Sequence, residues 1–187
     1  MSARSGGLDC QAPRGGAAGA ALLEALIAVA VVIAITTSVA LLIVRSRQAV
    51  WAAGAQSSAV AAAQQKLEQL AALEWRVDAA GTRHSDASTD LSLDSPAAGG
   101  TGLQSTPVDS LDRNVPGAVD FLGADGTWRG GGSEPPPDTT FVRRWSIVRH
   151  AADPDDTLVL TVLVVPLAGT AWHGAARLQT IRTRIGR

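Results

Sequence analysis

From Ala25 to Val44 the chain reads ALIAVAVVIAITTSVALLIV, twenty apolar, alanine or small hydroxyl positions with no charge, glycine or proline. As an α-helix such a run spans about 30 Å, the thickness of a bilayer's hydrocarbon core. In lipid the backbone has no alternative to an internally bonded helix. A secretory signal would carry a shorter apolar region, about 7–15 residues, ending at a small-residue cleavage site. This run instead passes straight into Arg45-Ser46-Arg47, so the pattern predicts a retained membrane helix.

Beyond Arg47 the hydrophobic period changes. Gln48–Val77 is rich in Ala, Gln, Leu, Lys and Glu, all good helix formers. Val60, Ala63, Leu67, Leu70 and Leu73 or Glu74 recur at three- and four-residue spacing and make one apolar stripe. No proline stands between Pro13 and Pro96, and Gly54 is the only glycine between Gly19 and Gly81. The pattern predicts one helix from about Ala21 to Val77, roughly 85 Å long at 1.5 Å per residue. Its membrane part covers about residues 20–44 and its amphipathic part about 45–77. Regular apolar heptads do not persist, so the stripe is expected to pack on the chain's own sheet rather than in a coiled coil.

Residues 78–138 are dominated by Gly, Ser, Thr, Asp and Pro, including Gly99-Gly100, Gly130-Gly131-Gly132 and Pro135-Pro136-Pro137. They read as a flexible loop region with one ordered island. In it, Val119–Leu122 and Thr127–Arg129 flank Asp125-Gly126, a hairpin signal. Residues 139–187 return to alternating patterns. Phe141–His150 and Thr157–Pro166 flank a turn, Ala151-Ala-Asp-Pro-Asp-Asp156, and Ala176–Ile185 makes a third strand. Leu158–Val165 is apolar on both faces, which predicts a central strand. The expected fold class is α+β: a long N-terminal transmembrane-plus-stalk helix packed on a small C-terminal antiparallel β-sheet of three or four strands.

Composition sharpens this division. The chain has 187 residues and a net charge of −1, yet residues 78–138 hold ten acids against Arg83, Arg113 and Arg129. Residues 139–187 hold seven arginines against Asp153, Asp155 and Asp156. The single cysteine, Cys10, excludes a disulfide framework and any multi-cysteine metal site. Basic residues do not set a membrane orientation, because Arg4 and Arg14 on one side balance Arg45 and Arg47 on the other.

The informative charge is Glu24, within the first turns of the membrane helix, since acids in membrane segments are functional candidates by default. A helix-start glutamate held at headgroup level by the macrodipole is the alternative. Five residues before it stands Gly19, followed by ALLEALIAVAVV. That combination resembles the N-terminal signal of type IV prepilins and type II secretion pseudopilins. The resemblance implies a leader, residues 1–19, removed by a prepilin peptidase between Gly19 and Ala20. Glu24 becomes the fifth mature residue and pairs with the new α-amine of a neighbouring subunit during assembly. The position N-methylated in the family corresponds to Ala20, where the family's usual phenylalanine is absent. Ala63–Trp75 and the strands RRWSIV and TIRTR are similar to the corresponding regions of minor pilins and pseudopilins. The family's major subunits usually carry a proline in the first helix and a C-terminal cysteine pair, and neither is present here.

The resemblance further implies a single-pass protein of the bacterial inner membrane, with its N-terminus cytoplasmic and its C-terminal domain periplasmic or in an extracellular filament. Its expected partners are the prepilin peptidase, other pilins or pseudopilins, an inner-membrane assembly platform and membrane lipid. Catalysis, metal and cofactors are not expected: there is no Walker A loop, H-E-x-x-H, G-x-S-x-G or C-x-x-C. His84-Ser85-Asp86 lies in a loop, and His150 with Asp153, Asp155 and Asp156 reads as a solvated turn rather than a calcium site. Two other readings stay open. Arg143, Arg144, Arg149, Arg182 and Arg184 with Trp145 and Trp172 could line a DNA-binding face of an uptake pilin, or serve as edge-strand gatekeepers or counter-charges to the acidic loop; nucleic acid is not the favoured partner. The chain could also be a signal-anchored extracytoplasmic binding module with no assembly role.

Overall fold

A computed structural model describes residues 15–167 and 174–186. The chain divides into two compact units, Met1–Ala49 and Val50–Arg187, and one helix, α1 (Gly15–Ala72), contributes to both. Ten strands follow: β1 (Trp75–Val77), β2 (Arg83–Ser85), β3 (Thr89–Asp90), β4 (Ala97–Ala98), β5 (Val119–Leu122), β6 (Trp128–Gly131), β7 (Phe141–His150), β8 (Asp153–Pro166), β9 (Ala176–Thr183) and β10 (Ile185–Gly186). The fold is the expected α+β arrangement of a long apolar N-terminal helix and a small antiparallel sheet.

In the first unit the helix is apolar all round and uncovered. Leu22, Ile27, Val32, Ile35 and Leu42 are all exposed, and the helix is long and apolar enough to cross a membrane. Thr36, Thr37 and Ser38 turn their hydroxyls back onto the carbonyls of Val32, Ile33 and Ala34. Three polar side chains are thereby satisfied within the apolar run.

In the second unit the main sheet has the order β6-β5-β7-β8-β9, every neighbouring pair antiparallel. Period-two alternation sorts its residues onto two faces. Phe141, Trp145, Ile147, Leu158, Leu160, Val162 and Val164 face α1 and join Ala59, Ala62, Ala63 and Leu70 in one core. Val119, Phe121 and Val142 form a smaller cluster on the other face. The strand that is apolar on both sides, β8, lies between β7 and β9 as its pattern requires.

Three expectations need correction. The helix stops at Ala72 rather than Val77, and Trp75–Val77 is strand β1. It pairs antiparallel with β2 and parallel with β10 at the end of the chain. The helix end is held from outside: Arg182 on β9 donates to the carbonyls of Leu70 at 3.1 Å and Leu73 at 2.6 Å, groups that a helix terminus leaves without partners. The guanidinium of Arg184 lies 3.5 Å from the Trp75 ring, and Trp75 Nε1 donates to the Asp156 carbonyl. Second, the expected third strand is therefore two, β9 and β10, aimed at different partners. Third, residues 78–138 are not a structureless loop. They hold β2–β6, tied by aspartates that accept backbone N–H groups two to four residues on: Asp78 from Ala80 and Thr82, Asp86 from Ser88 and Thr89, Asp90 from Ser92, Asp125 from Thr127. The β5–β6 hairpin turns at Asp125-Gly126 as expected, with φ +78° at Gly126.

Arg182→Ala removes two charge-assisted bonds to the helix end. It is expected to cost about 1.5–3 kcal/mol, read as a lower urea midpoint for loss of near-ultraviolet tryptophan dichroism in the detergent-solubilised chain.

Candidate functional site

Two places in the chain have chemistry that packing alone does not explain. The first is the start of α1. Gly19, Ala20 and Glu24 all lie within the helix, and Ala20 and Glu24 are exposed. A methyl group built on Gly19 would meet nothing within 4 Å, so no neighbour requires a glycine there. Glycine inside a helix costs roughly 0.5–1 kcal/mol relative to alanine. Gly19 therefore weakens the helix with no packing return among the described residues. Among the described residues the ion pairs do not include Glu24. Residues 1–14 of the expected leader, with Cys10, lie outside the described residues.

The second place is the interface between α1 and the main sheet, well beyond Val44 and outside the membrane run. Lys66 belongs to the buried stripe of the helix and is fully enclosed. Its ammonium bonds Asp120 Oδ2 of β5 at 2.8 Å and the Leu91 carbonyl at 2.7 Å. It also sits 4.5 Å from the centre of the Trp145 ring. Arg143 of β7 grips the same carboxylate with two parallel bonds of 2.8 Å. Its remaining nitrogen donates to the Ala62 carbonyl and to Gln65 Oε1, both at 3.0 Å. One carboxylate thus serves two buried cations. Burial pulls the Lys66 ammonium down to about 8; Asp120 opposes the fall and Arg143 adds to it.

The arginines singled out in the sequence do not make a common face. Arg143 is buried in this cluster. Arg144 bonds Asn114 and the Leu111 carbonyl, Arg149 the Pro154 carbonyl, and Arg182 the helix end. Arg184 donates to the carbonyls of Arg76, His84 and Asp155. The side chains that were to carry DNA binding are committed within the chain, and Arg182 and Arg184 are not gatekeepers of an edge. Trp145 is in the core, and Trp172 lies outside the described residues.

His84 and Asp86 do not form a catalytic pair. His84 Nε2 is 3.0 Å from Asp78 Oδ2, which helps hold that carboxyl below the usual range, while Asp86 closes its own turn. Asp153 accepts the Thr157 hydroxyl, and Asp156 pairs with Arg83 and Arg184. Among the described residues no three His, Cys, Asp or Glu side chains gather as a metal site. Sequence reasoning missed the Lys66–Asp120–Arg143 cluster. The available signal was a lysine at a stripe position, between Ala63 and Leu70. No family model, curated protein or solved structure matches the chain.

Lys66 is the only lysine, and the chain has no tyrosine, so alkaline titration isolates it among the buried side chains. The lysine pKa falls from 10.5 in the unfolded chain to about 8 in the fold. Between those values the unfolded chain binds more protons, and raising pH therefore favours the native state. Stability is expected to rise from pH 8 toward 10.5 by up to about 3 kcal/mol, and the rise is expected to vanish in Lys66→Met. Urea midpoints across that range, with the Lys66 side-chain NMR titration, check it.

Proposed function

We propose that the chain is a minor pilin or pseudopilin, a non-enzymatic structural subunit of a type IV pilus or a type II secretion pseudopilus. The observation that carries this reading is the start of α1. A glycine with no packing role stands five residues before an exposed carboxylate, on a helix whose apolar surface is uncovered through Val44. A peptidase that cuts after Gly19 accounts for the glycine. It also creates an α-amine at Ala20. In a bundle of such helices Glu24 of one subunit neutralises the amine of the next, and a paired carboxylate in a low-dielectric bundle costs far less than a lone one.

On this reading the leader lies in the cytoplasm, the apolar run rests in the inner membrane before assembly, and the sheet unit lies outside. The peptidase, the assembly platform and other pilins are the partners. The sheet unit selects neighbours within the filament.

Intact mass and N-terminal sequencing of the membrane-extracted chain, expressed with and without a prepilin peptidase, test the proposal. Peptidase-dependent loss of residues 1–19, leaving Ala20 first, is expected. Gly19→Val is expected to block the cut while leaving the sheet unit's tryptophan dichroism unchanged, because the added side chain meets open space. Glu24→Ala is expected to leave cleavage intact and abolish recovery of the subunit in sheared filaments. A chain that keeps its leader with the peptidase present would overturn the proposal.

A further inference from the structure

The main sheet has two edges, and they are built differently. At one edge, β6 is four residues long, and its pairing with β5 shifts register between Phe121 and Leu122. The flank of β6 is also crowded: a methyl group on Gly130 would lie 3.0 Å from Pro136, and one on Gly131 2.9 Å from the Ser92 carbonyl. Short length, an irregular register and a covering segment are the usual ways a sheet edge is closed to further pairing.

The other edge, β9, has neither the short length nor the irregular register. It runs eight residues, Ala176–Thr183, in unbroken register with β8 from Val164↔Ala176 to Thr157↔Thr183. It contains no proline or glycine, and among the described residues no strand pairs with its outer side. Arg177, Gln179, Thr180, Ile181 and Thr183 are exposed. Arg182, which could have guarded the edge, is turned in to the helix end. The face beside this edge is apolar as well. Val148, Val159 and Ile181 are cross-strand neighbours in one row, with Val148 48% and Ile181 61% exposed.

We infer that the outer edge of β9 is a docking edge for an extended, acidic segment of a different protein chain, which adds antiparallel to Ala176–Thr183 as a sixth strand. The backbone supplies the attraction common to all strand addition, and the side chains select the partner. Residues 176–186 hold no acid; Arg182 is turned to the helix end and Arg184 to Asp156 and backbone carbonyls, which leaves Arg177 as the exposed cation of the strand. A second copy of this edge would offer Arg177 no acid, whereas a carboxylate opposite Arg177 is complementary. An apolar residue four positions away on the same face continues the Val148–Val159–Ile181 row. This inference does not rest on the proposed function.

The test uses the full chain in detergent micelles and a blocked synthetic peptide, Thr-Val-Thr-Gln-Thr-Glu-Thr. In antiparallel addition its Val falls opposite Ile181 and its Glu opposite Arg177. Amide hydrogen exchange of residues 176–183 is expected to slow roughly threefold or more at millimolar peptide, with β6 unchanged. The same peptide with N-methylated backbone amides should give no protection. Arg177→Glu, at an exposed position, should abolish the protection while exchange in β7 and β8 stays as in the parent chain. Replacing the peptide's Glu by Lys should then restore it. Absence of protection, equal protection from the N-methylated peptide, protection confined to β6, or equal binding of the Lys peptide by the parent chain would each overturn the inference.

Discussion

A single carboxylate, Asp120, holds the second unit together. It is buried between helix and sheet, and on it converge a cation from the helix, Lys66, and one from the neighbouring strand, Arg143. Alanines make up much of the helix face that meets the sheet, namely Ala59, Ala62 and Ala63. Such a smooth apolar face tolerates displacement along its axis at small energetic cost, because dispersion and burial are not directional. The ion cluster is directional. Lys66 reaches Asp120 from one rotational setting of the helix, and Arg143 fixes the turn above through the Ala62 carbonyl and Gln65. Removing Asp120 leaves two cations buried without a counter-charge, and breaking a buried pair in this way costs about 3–5 kcal/mol. The depressed Lys66 pKa expresses first the cost of burying its ammonium, with the Arg143 charge adding to it.

The helix end is secured by different means. Its last carbonyls are met by Arg182, and the strand that carries Arg182 continues into β10, which pairs with β1 directly after the helix. The chain's last residues thereby close over the point where the helix stops. This explains why Trp75 leaves the helical pattern. Its ring lies under the Arg184 guanidinium and its N–H bonds the Asp156 carbonyl, contacts that continued helix would not offer.

The elements that were legible in the sequence are those whose signal is local. The apolar run, the stripe from Val60 to Leu73 and the three long strands each carry a period that their own residues specify. What was not legible depends on partners far along the chain. The end of α1 is set by residues about 110 positions away, and helix formers around Glu74 gave no warning. Lys66 was not singled out from the sequence, because its partner Asp120 lies far along the chain in the loop-rich residues 78–138. That stretch is ordered by aspartate turns, which are short-range and have no period to read. The arginines of β7 and β9 illustrate the same limit: alternation placed them on strands, but which of them meets a carboxylate, a helix end or solvent follows from the fold. At the start of the helix, by contrast, the structure adds a constraint that the sequence lacked, namely that no described residue packs against Gly19.

The two ends of α1 therefore obey opposite rules. Near its end, Lys66 and the carbonyls of Ala62, Leu70 and Leu73 are answered by named partners on the sheet, while Gln69 Oε1 is buried without one, so most of the residues there are explained by the chain's own fold. Through Val44 the helix exposes an apolar surface, and such a surface is stable only against lipid or other apolar helices. Glu24 sits on that surface, where a lone carboxylate would be costly in lipid and an amine of opposite charge would relieve it. On the proposed reading, the partner at this surface is helical, apolar and positively charged near its start. A copy of the same helix, cut to expose an α-amine at Ala20, has all three properties, and so has any subunit built on the same plan.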